Sequence, residues 1–357
     1  MTIIIAEAGV NHNGDEALAF KLIDAAFAAG ADIIKFQTFK AKNVASEIAQ
    51  KADYQITESS DAESQLELLT RLELPHKSHF KLVDYCNKLG IEFLSTAFDS
   101  ESLNFLINEL DLKRLKIPSG EITNAPLVLE HARTGCDLII STGMATLAEI
   151  ELVLGVIAFG YTMPIDASPS SDAFQKAYSS DQGKASLKEK VTILHCTTEY
   201  PAPINDINLS AMDTISSAFG LPIGYSDHSE GIIVSIAAAA KGATLIEKHL
   251  TLDKNMDGPD HQASLDPNEF KSLVNAIRSV QLSMGDGIKG PRPSELNNKI
   301  SARKSLIAAN DISIGSKISA KDIDIKRPGN GISPFRYWAI QGKISMHSYK
   351  KGDLIDE

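Results

Sequence analysis

Polar residues end several of the apolar segments in the first 250 residues of this 357-residue chain. They are carboxylates, amines, hydroxyls and imidazoles: Glu7, Lys35, Lys116, Ser119, Ser141, His228 and His249. Such a set could hold an anion, bind a divalent metal ion and move a proton. Because catalytic groups lie at the carboxyl ends of the strands in a (β/α)8 barrel, the placement of these residues predicts an active site on that fold.

The segments that precede these residues are short, apolar and rich in β-branched residues, as is typical of parallel strands buried on both faces. Segments with helical spacing alternate with them, and several end on Gly, a common helix stop. The predicted strands lie at 2–9, 31–37, 91–98, 114–120, 137–143, 191–197, 221–227 and 244–250. Eight strand–helix units favour a closed TIM barrel over a doubly wound sheet.

Three segments interrupt the alternation. Residues 38–75 form a connection long enough for a lid or binding loop on the catalytic side. Residues 163–190 are rich in Ser, Asp and Lys, which predicts a flexible surface insertion with little bearing on the chemistry. Residues 285–298 have the Gly, Pro and Asn content of a linker. We therefore expect a catalytic barrel at 1–284 and a small β domain at 299–357.

Composition narrows the functional class. Hydrophobic residues make up 43% of the chain, and the net charge of −11 comes without a basic face, which argues against a nucleic-acid partner. No apolar run approaches the roughly 20 residues that span a bilayer, so no membrane partner is expected. Cys86, Cys136 and Cys196 lack metal-ligand spacing, and no signal-peptide pattern precedes the first strand. We therefore expect reduced thiols and a cytoplasmic location.

Two histidines could bind a metal ion. His228 in GYSDHS and His249 in EKHL end neighbouring predicted strands, so both imidazoles are expected at one rim. Without an evident third ligand they leave positions for water or substrate, which suits Mn²⁺ or Mg²⁺ better than a closed zinc site. Taken singly, each is more simply a hydrogen-bonded structural residue, and their shared position favours the metal. His12 is a weaker candidate ligand.

Lys35 in IIKFQTF and Lys116 in RLKIPSGE are cations in apolar strands, where an unpaired charge is costly to bury. Ser119 and Ser141 stand beside glycines, whose bare backbone lets an anion approach N–H groups. The four residues could therefore bind a carboxylate and a phosphate.

Carboxylates offer an alternative partner for each lysine, and Glu7 and Glu121 are the candidates. Glu7 in AEAGVNHNG ends the first strand and could act as a general base, kept ionised by neighbouring lysines that lower its pKa. Asp260 in GPDHQAS follows the eighth strand. It could orient a metal-bound water, bind a substrate hydroxyl or simply cap its loop.

The chain contains the motifs AEAGVNHNG, KFQTFKA, STAFD, KIPSGE, ISTGMAT, LHCTTEYPAP, GYSDHS, EKHLTLD, GPDH and KRPGNGISP. In this order and spacing they resemble the sialic acid synthase family, over nearly the whole chain apart from residues 163–190. The segment after residue 299 resembles the antifreeze-like (SAF) β-clip domain of that family. Synthases for N-acetylneuraminate, legionaminate and pseudaminate are close relatives within it.

The resemblance implies a metal-dependent condensation of phosphoenolpyruvate with the open-chain aldehyde of a 2-acetamido sugar. The products are a nine-carbon sialic acid and phosphate, which leaves by C–O cleavage. His228 and His249 would hold Mn²⁺, with Mg²⁺ or Co²⁺ as alternatives, and the ion would polarise the aldehyde as a Lewis acid. Glu7 would handle the proton of the water that adds during the reaction.

Further roles carry over by motif. The residues that match the phosphoenolpyruvate site are Lys35, Lys116, Ser119 and Ser141. The residues that match the sugar contacts are Gln37, Glu121, Tyr200 and Asp260. Arg327 in KRPGNG corresponds to the arginine that the small domain of the family sends into the partner's active site, which implies a domain-swapped homodimer. Taken alone, KRPGNG is equally a Gly/Pro turn with a solvated arginine.

The motifs specify the acceptor sugar less well than they specify the reaction. Thr197 and Thr198 in CTTEYPAP stand where other members carry Asn, so that sugar contact does not carry over. We favour N-acetylmannosamine, which gives N-acetylneuraminate, with 2,4-diacetamido-2,4,6-trideoxy-mannose and N,N'-diacetyllegionaminate as the alternative. Two other hypotheses stay open: a Schiff-base aldolase using a lysine such as Lys116, and a carbohydrate- or ice-binding small domain on an inactive barrel.

Overall fold

The apolar segments form the strands of a barrel. In the computed structural model, which describes residues 1–51 and 64–356, eight parallel strands pair in sequence order and β1 closes on β8. The strands are β1 Ile3–Gly9, β2 Ile33–Thr38, β3 Glu92–Ala97, β4 Arg114–Ile117, β5 Asp137–Ser141, β6 Val191–Cys196, β7 Ile223–Asp227 and β8 Leu245–His249. The predicted TIM barrel is confirmed.

Helices follow the strands and bury their apolar faces against the outside of the barrel. α1 illustrates the local signals: Asp15 accepts a hydrogen bond from the N–H of Ala17 at its start, and Gly30 adopts a φ of 86° at its end. The helices of this unit are α1 Glu16–Ala29, α2 Ala41–Val44, α3 Gln65–Leu72, α4 His76–Leu89, α5 Ser100–Asn108, α6 Ala125–Arg133, α7 Leu147–Thr162, α8 Ser171–Ser179, α9 Asp181–Lys190, α10 Ala211–Phe219, α11 Ile233–Ala240 and α12 Pro267–Met284.

The strands carry two inward layers, one apolar and one polar. Side chains two positions apart on a strand lie on the same face. Each residue of the apolar layer is therefore followed, toward the carboxyl end of its strand, by a second inward-facing side chain. The apolar layer consists of Ile5, Ile33, Leu94, Ile139, Leu194 and Leu245. Two positions further along the same strands lie Glu7, Lys35, Thr96, Ser141, Cys196 and Glu247. The barrel core thus ends directly beneath a layer of chemically active side chains.

The connection at 38–75 contributes helices to the catalytic side. α2 and α3 lie within it, and residues 52–63 lie outside the described residues. The Nζ atom of Lys40 is 2.6 Å from a carboxylate oxygen of Glu73, and the other oxygen accepts from the N–H of Ala41. These contacts fasten both ends of the connection to each other.

The prediction of a flexible insertion at 163–190 is wrong. α8 and α9 occupy most of it, and Ser180 accepts a hydrogen bond from the N–H of Gly183 at the start of α9. Ala177 and Leu187 are buried, and the Phe174 ring packs edge-on against Phe159 at 5.2 Å. The Ser, Asp and Lys residues that suggested disorder form the exposed faces of amphipathic helices.

A second compact unit covers Asp286–Glu357, after a first unit at Met1–Gly285. Its strands β9 Ser305–Ala308 and β10 Ile323–Lys326 pair antiparallel, and helices α13 Pro293–Ala302 and α14 Tyr337–Ile340 accompany them. Its core consists of Leu306, Ala308, Ile312, Ile318, Ile323, Ile340, Tyr349 and Ile355. Because α13 begins inside residues 285–298, the expected linker includes the first part of a helix.

Two further findings concern the chain as a whole. Over residues 1–51 and 64–356, no helix combines the length and apolar character needed to cross a membrane. Cys86, Cys136 and Cys196 are free thiols.

Candidate active site

Four charged side chains are buried together at the carboxyl ends of the strands; we call them the charged floor: Glu7, Lys35, Lys116 and Glu247. Each is between 2% and 5% exposed. The Nζ atom of Lys35 lies 2.7 Å from Glu7 and 3.6 Å from Glu247, while that of Lys116 lies 2.7 Å from Glu247. Two cations and two carboxylates neutralise one another, which offsets part of the large cost of removing them from water.

The predicted pairing of lysines with carboxylates is therefore half right. Glu7 is the partner of Lys35, but Lys116 pairs with Glu247 rather than with Glu121. Glu121 instead accepts a hydrogen bond of 2.7 Å from the side chain of Asn124. The register explains the first pair, because Glu7 and Lys35 are directly opposite on β1 and β2.

Lys35 and Lys116 lower the pKa of Glu7, as expected, but burial outweighs them, so the expected net decrease is wrong. Burial raises its pKa to about 6, although Lys35 opposes the shift. Burial also favours the neutral form of Glu247, but Lys116 and Lys35 outweigh it and hold its pKa far below the ordinary value. Glu247 contacts both lysines, whereas Glu7 contacts Lys35. The lysines therefore stabilise the ionised form of Glu247 more than that of Glu7.

Sequence reasoning missed Glu247 and two hydroxyls that support the floor. The Thr96 hydroxyl lies 3.1 Å from the Lys35 ammonium and accepts from it, and the Ser226 hydroxyl donates to Glu247 at 2.9 Å. The signal for Glu247 was present in EKHL, because a strand places residues two apart on one face. Glu247 therefore points to the same side as His249.

His228 is held in one tautomer. Its Nδ1–H donates to the carbonyl oxygen of Thr197 at 2.6 Å, and burial lowers its pKa to about 4, so the ring is neutral. The Nε2 atom therefore presents a lone pair, toward which the Tyr200 hydroxyl donates at 3.1 Å. A backbone carbonyl that fixes the remote nitrogen is the usual support of a metal-binding histidine.

His249 completes the pair. Its ring centroid is 5.7 Å from that of His228, and burial holds its pKa well below the ordinary value. Its Nδ1 atom is buried without a hydrogen bond, and the nearest carboxylate oxygen, from Asp260, is 3.5 Å away. Two neutral imidazoles, one with an unsatisfied nitrogen, fit a divalent ion whose other positions are filled by water or substrate.

The described residues contain no cluster of three or more His, Cys, Asp and Glu side chains suited to a metal ion. His12, the weaker candidate, belongs to its own loop: its Nδ1 accepts from the N–H of Gly14 at 3.0 Å. His228 and His249 remain the two candidate metal ligands at this rim.

A second buried ion pair lies next to the histidines along the chain. Asp227 and Lys248 are register partners on β7 and β8, their side chains are fully buried, and their charged atoms are 3.3 Å apart. Asp227 also accepts from the N–H and hydroxyl of Ser229 and from the Ser235 hydroxyl. Since His228 and His249 are the next residues in the chain, this pair fixes their strands at the point where the imidazoles emerge.

A cavity of about 280 Å³ opens above the charged floor. The candidate residues that line it are Glu7, Lys35, Gln37, Lys116, Ser119, Ser141, Tyr200, His228, His249 and Asp260. Ser141 has a buried hydroxyl oxygen without a hydrogen-bond partner, and Ser119 accepts from the N–H of Gly143 at 3.0 Å. A Cβ at Gly143 would collide with the hydroxyl groups of Thr198 and Ser119, so a larger residue there would force both side chains to move.

Two candidates lie elsewhere. Glu121 is half-buried in the turn that follows β4 and does not line the cavity. Arg327 belongs to the second unit, where it is exposed and its Nε donates to the carbonyl oxygen of Ala302 at 3.1 Å.

The fold and site define a (β/α)8 enzyme with a charged floor and a paired-histidine rim. The chain belongs to the NeuB family, which it matches over residues 22–289, and residues 303–357 match the SAF domain. It is an enzyme of the transferase class, a nonulosonic acid synthase. The family resemblance seen in the sequence is confirmed.

Relatives differ in their named products. The chain is 49% identical over 356 residues to the N,N'-diacetyllegionaminic acid synthase of Campylobacter jejuni, covering 100% of this chain and 99% of that one. It is 44% identical over 345 residues to the Legionella pneumophila synthase of the same name, with coverages of 96% and 90%. The N-acetylneuraminic acid synthetase structure from Leptospira borgpetersenii shares 33% identity and a TM-score of 0.66, with coverages of 83% and 90%.

The buried pair beside the histidines predicts strong coupling between its members. Asp227→Asn or Lys248→Met alone should lower the free energy of unfolding by about 3–5 kcal/mol, because each leaves an uncompensated buried charge. The double variant should lose less than the sum of the two. Urea denaturation measures all three, with Asp111→Asn in the exposed Asp111–Lys113 pair as a control that should change little. Additive losses would contradict the coupling.

Proposed function

We propose that this enzyme is an N,N'-diacetyllegionaminic acid synthase, which condenses phosphoenolpyruvate with open-chain 2,4-diacetamido-2,4,6-trideoxy-mannose. The identities of 49% and 44% to synthases of that name, against 33% to the N-acetylneuraminic acid synthetase, support this acceptor. They favour the alternative of the sequence analysis over its first choice. N-acetylmannosamine, with N-acetylneuraminate as product, becomes the second candidate.

The observation that carries the proposal is the charged floor beneath the two histidines. The Lys35 and Lys116 ammonium groups line the cavity and already face carboxylates, so a carboxylate and a phosphate can take up the same donors. Ser141 offers an unsatisfied hydroxyl at the same place, and Ser119 stands beside it. We assign phosphoenolpyruvate to these four residues.

The bond changes balance with one water molecule. The enol carbon C3 of phosphoenolpyruvate forms a bond to the aldehyde carbon, and the aldehyde oxygen takes up a proton. Water adds to C2 and gives up one proton, which balances the proton taken up by the aldehyde oxygen. The C2–O bond to phosphate then breaks, the second proton of the water leaves with the phosphate, and C2 becomes the ketone carbon. Glu7 borders the cavity and is mostly ionised at pH 7 with a pKa of about 6, so we assign it the proton of the water.

The proposed metal is Mn²⁺, with Mg²⁺ or Co²⁺ as alternatives, held by His228 and His249; when bound, it would act as a Lewis acid toward the aldehyde oxygen. Tyr200 stacks on the His228 ring at 4.2 Å between centroids and positions it. Gln37 donates to Glu7 at 3.3 Å and, with Tyr200 and Asp260, is assigned to the sugar.

We also propose a domain-swapped homodimer in the cytoplasm, in which Arg327 reaches the active site of the partner. The exposure of Arg327 in the second unit supports the dimer, and the free thiols support the cytoplasmic location. Light scattering of the full chain tests it, and a monomer with full activity would contradict it.

Phosphate release tests the proposed reaction. With phosphoenolpyruvate and Mn²⁺, the diacetamido sugar should give phosphate and a product of the expected mass, at a higher kcat/KM than N-acetylmannosamine. A chelator should abolish turnover. A preference for N-acetylmannosamine would transfer the assignment to the second candidate. Turnover indifferent to chelator and trapped by borohydride at Lys116 would favour the Schiff-base aldolase.

The pKa of Glu7 predicts the acid side of the pH profile. Because the ionised carboxylate is the active form, kcat/KM should fall about tenfold per pH unit below about pH 6. His228, with a pKa of about 4, titrates too low to produce this limb. In Glu7→Gln the limb should vanish and the rate should drop by about 10²–10⁴-fold. A limb that persists in Glu7→Gln would assign it to another group.

A further inference from the structure

Part of the cavity wall is apolar, in contrast to its charged floor. We call this surface the apolar wall; it consists of Val10, Val44, Leu68, Leu69, Leu72 and Phe98. These side chains come from the loop after β1, from α2 and α3, and from the end of β3.

The apolar wall is anchored from behind. Leu68 and Leu72 are buried with Val10 and Phe39 in a cluster of their own, and Phe39 packs edge-on against Phe98 at 6.1 Å. Polar contacts fasten the segment that precedes α2: the backbone N–H of Lys40 donates to Asp99 at 3.0 Å. The buried members of the wall pack within this cluster, and the partly exposed members face the cavity.

The partly exposed members are Val44, Leu69 and Phe98. Val44 is 37% exposed. None of the three can donate or accept a hydrogen bond from its side chain.

The lysine side chains that line the cavity lie at its floor. Among the described residues that line the cavity, Lys35 and Lys116 are the cations, and both are paired with carboxylates there. A phosphate or hydroxyl placed against the apolar wall would therefore lose its water without gaining a partner from these side chains. A methyl group would gain from the same contact.

The proposed acceptor has a methyl group at C6, where its 6-hydroxy analogue has a hydroxymethyl group. Resting on the proposed function, we propose that Val44, Leu69 and Phe98 receive the C6 methyl group of the 6-deoxy sugar and thereby disfavour acceptors with a hydroxymethyl or phosphate group at C6. In that reaction the aldehyde at C1 must meet the enol held at the floor. C6 is the opposite end of the open chain and is directed to the wall.

The expected discrimination follows from the chemistry of such walls. An apolar pocket rejects an added hydroxyl by about 10²-fold at most, so the 6-deoxy sugar should be preferred by about 10- to 100-fold in kcat/KM. A 6-phosphate should lower kcat/KM further than the hydroxymethyl group does, because a dianion would lose its water against apolar side chains.

The experiment compares two sugars that differ at C6 alone: 2,4-diacetamido-2,4,6-trideoxy-mannose and 2,4-diacetamido-2,4-dideoxy-mannose. Leu69→Gln keeps a good helix former and offers the wall a hydrogen-bonding amide, so the ratio of kcat/KM values should fall by about tenfold. Val44→Thr, nearly equal in shape, should lower the ratio in the same direction and guards against misfolding of the first variant. Leu66→Gln lies on the same helix outside the cavity lining and should keep the wild-type ratio.

The outcomes separate this inference from the proposed function. Equal kcat/KM for both sugars in the wild type, or unchanged ratios in both wall variants, would overturn the assignment of the wall while the synthase stands. No phosphate release with either sugar would overturn the proposed function itself and the inference with it.

Discussion

The burial of two lysines and two carboxylates at one end of the barrel is the constraint on which the rest of the site depends. Each charge alone would be costly inside the fold, and together they are tolerable only in close geometry. The strands supply that geometry, because Glu7, Lys35 and Glu247 each stand two positions beyond a residue of the apolar layer. The same pairing leaves the two ammonium groups at the cavity. In the proposed function they bind the carboxylate and phosphate of phosphoenolpyruvate.

Three chemically different surfaces line the cavity, and each suits a different part of the proposed reaction. The charged floor suits an anion, the neutral histidines suit a divalent ion, and the apolar wall suits an unsubstituted end of the sugar. The Asp227–Lys248 pair lies outside the cavity lining yet fixes the strands that carry the histidines. The proposed function follows from the combination rather than from any one of these features.

The sequence predicted much of this arrangement, since apolar strands and their polar ends follow a simple period. Glu247 was not among the predicted site residues because the EKHL motif was interpreted through His249 alone, although the two-residue period places both side chains on one face. The helices within 163–190 were missed because a polar composition concealed the spacing of Phe174, Ala177 and Leu187. The raised pKa of Glu7 could not be predicted, because it depends on the burial of the carboxyl group and on how two lysines are shared between two carboxylates.

Calorimetric titration of the full chain with phosphoenolpyruvate, in the absence of sugar, tests the central claim most directly. The wild type should bind, and Lys35→Met or Lys116→Met should each weaken the affinity about 10- to 100-fold, as expected for loss of one charged hydrogen bond. Lys81→Met, which removes an exposed lysine paired with Glu16, should bind as the wild type does. Folded Lys35 and Lys116 variants with wild-type affinity would contradict the assignment of the charged floor to phosphoenolpyruvate.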